Sequence, residues 1–150
     1  MRERHREVTI VLGRFMTDHL IRVYRAFDKD ITAAIVLGTI RQYNLQRYYA
    51  EIDEKSAKGF HQPAAQAEQL AHGRACTAMS ISRSTGIPRE TVRRKIRDLI
   101  KKGWLKQAGP DQLVVTEFSR KHFTEFDRDS LERFHTAANE VLELVKKRGR

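Results

Sequence analysis

Residues 77–105, TAMSISRSTGIPRETVRRKIRDLIKKGWL, place a single glycine between two helix-forming stretches, and this restricts the fold more than any other feature of the chain. Ile81 lies before Gly86, and Ile87, Val92, Ile96, Leu99 and Ile100 follow it. At about 100° per residue the last four share one helical face, which predicts a helix pinned to a core along that side. Pro88 suits the first helical position, where a missing N–H costs nothing. Glu90 in the first turn suits the helix dipole. The opposite face carries Glu90, Arg94, Arg97 and Lys101, flanked by Thr91 and Arg93, with Arg89 at the N-terminal tip.

Charge concentrates in the same stretch. Residues 74–106 hold ten Lys or Arg against two acids, Glu90 and Asp98, which is +8 of the chain's formal +10. Basic and acidic residues cancel in 31–73 and in 107–150, and nearly so in 1–30. A local positive field on a helix–turn–helix pattern attracts a polyphosphate duplex, so double-stranded DNA is the expected partner. The N-terminal part of such a helix reaches base edges in the major groove, where arginine pairs with guanine. Arg89, Arg93 and Arg94 are therefore placed near bases. Thr91, Arg97, Lys101 and the first-helix residues Arg83 and Ser84 are placed near phosphates, contacts that position the protein and make binding salt-dependent. A merely solvated basic face is the bland explanation. The Ile-Ser-Arg-Ser-Thr-Gly-Ile turn before it and Gly-Trp-Leu after it favour the DNA reading.

The remaining features exclude several classes. At 150 residues the chain suffices for one domain with a real core. No apolar run approaches the ~18 residues of a membrane span. The N-terminus mixes Glu3 and Glu7 with its arginines and lacks a small-residue cleavage site, unlike a secretory signal. These points lead to a cytoplasmic protein with no membrane partner. The one cysteine, Cys76, excludes an intrachain disulfide and a cysteine-rich zinc site. It reads as a buried, inert thiol. The six histidines lack metal-site spacing. Nucleophile elbow, phosphate loop and paired catalytic carboxylates are missing from the sequence pattern, so neither an enzyme nor a cofactor is expected, and no metal.

Along the chain, Val8, Leu12, Phe15, Leu20, Val23 and Phe27 predict an amphipathic helix over 5–28. Asp30 is placed to cap a second, nearly all-apolar helix over 31–44. Residues 45–73 read as an insertion of partly helical character, with a short helix from Pro63 to Gly73. The aromatic group Tyr43, Tyr48, Tyr49 and Phe60 fits either packing or the lining of a small-molecule pocket. GWLKQAGPDQLVVT, residues 103–116, reads as a hairpin turning at Ala108–Asp111, with Trp104 as core. Leu131, Phe134, Ala138, Val141 and Val145 predict a last helix capped by Asp129 or Ser130.

The apolar helix, SISRSTGIPRETV, RRKIRDLIKKGWL and the hairpin together resemble the MarR family of bacterial transcription regulators. The resemblance covers residues 30–116, the expected winged helix-turn-helix core with the 45–73 insertion. It implies a mainly α fold with a small β-hairpin wing. Residues 1–29 and 117–150 would supply long N- and C-terminal helices forming a dimerisation region. Members are homodimers that read near-palindromic sites and most often repress. Some are released from DNA by a small-molecule effector. On this resemblance Val8, Leu12, Phe15, Phe134, Val141 and Val145 are the expected dimer interface. Lys106 is the expected cationic wing contact, beside an acidic Asp111 that opposes phosphate. Ser82 and Thr85 stand where the family usually has Ala and Leu. The alternative is a non-enzymatic winged-helix interaction protein that binds nucleic acid without sequence preference or an acidic protein partner.

Overall fold

Gly86 and Gly103, both in the left-handed region at φ 75° and 74°, end two successive helices and divide the central part of the chain. In the computed structural model, which describes residues 2–52 and 76–146, the order is α1 (Arg2–Ala26), α2 (Ile31–Ile52), α3 (Ala78–Thr85), α4 (Arg89–Lys101), β1 (Leu105–Gly109), β2 (Gln112–Val115) and α5 (Glu117–Lys146). The described chain is mainly helical, with one two-stranded antiparallel hairpin. It divides into two compact units, one of residues 1–30 and 122–150, the other of 31–121.

In the second unit α2 packs against α3, α4 and β2. Val36, Leu37, Ile40, Ile81, Val92, Leu99 and Leu105 are at most 2% exposed and form its centre, with Ile96, Trp104, Leu113 and Val115 around them. α3 starts with a reciprocal cap. Thr77 Oγ1 accepts from the Ser80 N–H at 3.2 Å, and Ser80 Oγ accepts from the Thr77 N–H at 2.9 Å. α4 ends with the Gly103 N–H donating to Ile100 O and the Trp104 N–H to Leu99 O, at 2.9 and 3.0 Å. That pair of bonds needs a residue at positive φ, hence the glycine. Trp104 leaves the helix buried, with Lys102 Nζ 4.9 Å from its ring centre.

The hairpin pairs Leu105 with Val115, Lys106 with Val114 and Gln107 with Leu113, then shifts register before Gly109 meets Gln112. Asn44 on α2 acts as a piece of strand beside it. Its amide donates to Leu113 O at 2.9 Å and accepts from the Val115 N–H at 2.8 Å. Cys76 adds an isolated parallel bridge to Gln112. Thr116 then caps α5, accepting the Ser119 N–H at 3.1 Å while donating to Gly103 O at 2.6 Å.

In the first unit α1 and the later part of α5 run antiparallel. Phe27 stacks on Phe123, the His19 and Phe126 rings lie 6.0 Å apart, and Phe15 meets Phe134. Arg22 lies 4.8 Å over Phe126, and the pairs Asp18–Arg133 and Arg14–Glu140 close at 3.1 and 2.6 Å. Only Val11, Phe27 and Phe123 of this unit are buried among its described apolar residues. Ile10, Leu12, Met16, Leu20, Leu131 and Phe134 are each exposed.

Three expectations change. The last helix needs no cap at Asp129 or Ser130, because α5 runs unbroken from Glu117, and Ser130 Oγ donates to Phe126 O one turn back. Pro88 precedes α4 as its cap residue, one position earlier than expected. Ile100 is 39% exposed and only borders the core. Helix α2 runs through Ile52, so the first part of the 45–73 stretch is helical, in keeping with its expected partly helical character. The short helix expected over 63–73 lies outside the described residues.

Replacing Ile81 by Ala removes a fully buried side chain from the second unit. The expected cost is about 2–5 kcal/mol by equilibrium urea denaturation. Gly86→Ala adds a Cβ at φ 75° in open space, so its expected cost is smaller, about 1 kcal/mol from backbone strain alone.

Candidate nucleic-acid interface

Three residues, Gly86, Ile87 and Pro88, join α3 to α4, and side chains tie this turn closed. Ser82 Oγ donates to Ile87 O at 2.7 Å. Thr85 Oγ1 donates to Ile81 O at 2.7 Å and accepts the Ile87 N–H at 3.2 Å. The two residues that depart from the Ala and Leu of the resembled pattern thus satisfy the backbone groups that the turn frees from helical bonding. Their types alone carry no such signal, since serine and threonine in a short helix read as ordinary polar surface.

With the turn held, the buried Val92, Ile96 and Leu99 fix the rotation of α4 about its axis. Arg89, Glu90, Arg94, Arg97 and Lys101 are all exposed. Arg83 is exposed in the last turn of α3. Ser84 is half-buried, and its hydroxyl donates to Ile81 O at 3.1 Å. Thr91 is half-buried on α4. Arg93 Nη1 lies 2.7 Å from Glu90 Oε1, with side chains 41% and 76% exposed. Arg93 is therefore engaged within the helix. Arg94, Arg97 and Lys101 make no ion pair among the described residues.

Across the hairpin, Lys106 is exposed on β1 and Asp111 is exposed at the tip. The Gln107 amide donates to Gly109 O and, at 3.4 Å, to Pro110 O, so the tip is braced by its own side chain. An open cleft of about 290 Å³ lies between the start of α3, α4 and the hairpin, lined by Thr77, Arg93, Arg97, Gln107 and Leu113 with Cys76 at its base.

Burial pushes the Cys76 thiol up to about 12, against a smaller opposing effect of a hydrogen bond with the Leu113 backbone. The neutral thiol is the form that folding favours. Among the described residues no three His, Cys, Asp or Glu side chains converge on a metal-sized site. Of the aromatic group, Tyr43 is half-buried and Tyr48 is 57% exposed, while the side chains of Tyr49 and Phe60 lie outside the described residues. Of the residues expected at a dimer interface, Leu12, Phe134 and Val145 are exposed and Val8, Phe15 and Val141 half-buried, all in the first unit.

The raised Cys76 value has a pH consequence. A folded-state thiol at about 12 against 9.0 for the ordinary group stabilises the fold fully below about pH 9, and that contribution is lost as pH rises toward 12. Native protein at pH 8 is expected to react with a thiol reagent far more slowly than denatured protein. Its stability is expected to fall above pH 9 less steeply in Cys76→Ala than in the unaltered chain, as followed by urea midpoints. No family model, curated protein or solved structure matches this chain, so the geometry of α3, α4 and the hairpin carries the functional argument.

Proposed function

We propose that this protein is a MarR-like bacterial transcription regulator of the winged helix-turn-helix type, most often a repressor in such families. It binds near-palindromic double-stranded DNA as a homodimer and works in the cytoplasm without catalysis. The observation that carries the reading is a helix aimed by three buried residues, Val92, Ile96 and Leu99, whose outward side presents Arg89, Arg94, Arg97 and Lys101 to solvent. Cations that satisfied acids of their own fold would serve stability, whereas these have no such partners among the described residues. In this reading α4 enters the major groove, Arg89 and Arg94 meet base edges, and Arg97, Lys101, Arg83 and Ser84 contact phosphates. Arg93 and Thr91 flank that surface. Lys106 contributes charge from the hairpin wing, where Asp111 keeps the approach to phosphate shallow.

The first unit supports the dimer reading. Two helices that leave Leu12, Met16, Leu20, Leu131 and Phe134 in solvent have a free apolar face, and a second copy covers it with the same face. Val8, Phe15, Val141 and Val145 border that surface. A dimer would carry two α4 helices, one for each half-site of a near-palindromic sequence.

Selection from a random duplex library at about 150 mM salt tests the whole reading. The expected result is an enriched inverted repeat. Arg94→Ala should relax one position of each half-site at a cost of about 1–3 kcal/mol, while Lys101→Ala should weaken all sequences alike and lower the salt slope by about one. A steep salt dependence without any enriched motif would instead favour the non-specific interaction protein. Sedimentation equilibrium should give a dimer at micromolar concentration, and Leu12→Asp should shift it to monomer with at least about tenfold weaker operator binding.

A further inference from the structure

Glu90 is out of place on a surface built to attract phosphate. Its side chain is 76% exposed, on the same face as Arg94, Arg97 and Lys101 and one residue from the start of α4. An acid near a helix N-terminus is stabilised by the dipole, but that effect is modest at the surface and does not require the carboxylate to share the DNA-facing side. Arg93 Nη1 holds only Oε1, at 2.7 Å. Oε2 has no hydrogen-bond partner among the described residues. The ion pair therefore presents a carboxylate of restricted orientation with one oxygen free to accept.

Major-groove chemistry gives such a group one good match. Guanine shows two acceptors there, thymine an acceptor and a methyl group, and adenine an acceptor beside its donor amine. Cytosine alone offers a donor amine with no acceptor of its own. A carboxylate at the groove repels the first two, half-repels adenine and accepts from cytosine N4. We propose that Glu90 is a specificity-determining residue that selects a cytosine in each half-site, with Arg93 as its positioning residue. The inference rests on the DNA-binding reading above and deepens it. Glu90 lowers affinity for DNA in general and returns it only where the amine is present, which is how a +8 segment avoids binding every duplex equally.

The test is selection from random duplexes with the unaltered protein, Glu90→Gln, and Arg93→Ala, each first checked for unchanged helical circular dichroism. The unaltered protein should require cytosine at one position per half-site. Glutamine pairs with the donor and acceptor of adenine, so Glu90→Gln should convert that position to adenine and leave the rest of the motif intact. Competition between the two matched duplexes should reverse by about tenfold or more. Arg93→Ala should broaden the same position without installing adenine, and an unchanged preference there would remove Arg93 from the proposal. A motif identical in Glu90→Gln and the unaltered protein would overturn the role of Glu90 and leave the DNA-binding reading standing. No motif with the unaltered protein would overturn that reading itself, and this inference with it.

Discussion

Ile81, Val92 and Leu99 surrender all but about 1% of their exposure to water, and the rest of the second unit is arranged around keeping them there. Their burial joins α3 and α4 to α2, sets the rotation of α4, and so determines which of its side chains can face outward. Each large aliphatic residue buried in this way contributes about 1.5–3 kcal/mol. The exposed charge pairs of this protein contribute far less, because water and salt screen them. The cationic face of α4 is thus aimed by apolar packing that lies behind it.

Polar groups then remove the remaining freedom. Ser82 and Thr85 close the turn, Thr77 and Ser80 cap one helix, Thr116 caps another, and Asn44 supplies the missing edge of the hairpin with two hydrogen bonds. A buried backbone group without a partner is expensive, so these side chains matter out of proportion to their number. They also hold α3 and α4 in one relative arrangement, which is what keeps the cationic side of α4 facing outward.

The two units differ in how they satisfy the hydrophobic effect. Residues 31–121 enclose their own core. The antiparallel helices of the other unit bury few side chains and leave an apolar face in water. Two helices alone cannot enclose a core of their own, since each has a single apolar stripe and only one neighbour to cover it. In the dimer proposed above, a second copy would cover that face, and the same step would double the DNA surface engaged.

Much of this was legible in the residues. The 3.6-residue spacing of Val92, Ile96 and Leu99, the turn at Gly86, the turn residues Gly109, Pro110 and Asp111 of the hairpin, and the burial of Trp104 and Cys76 all follow from local pattern and apolar character, which act over a few neighbours. What tertiary structure decided involves partners far apart in sequence. The Asn44 bonds to β2, across 69 and 71 residues of chain, and the exposure of Ile100 depend on which surfaces meet, whereas the closing of the turn by Ser82 and Thr85 is local but is not announced by their types alone. A side chain's type states which bonds it can make, and only the packed chain determines which of them water does not already satisfy.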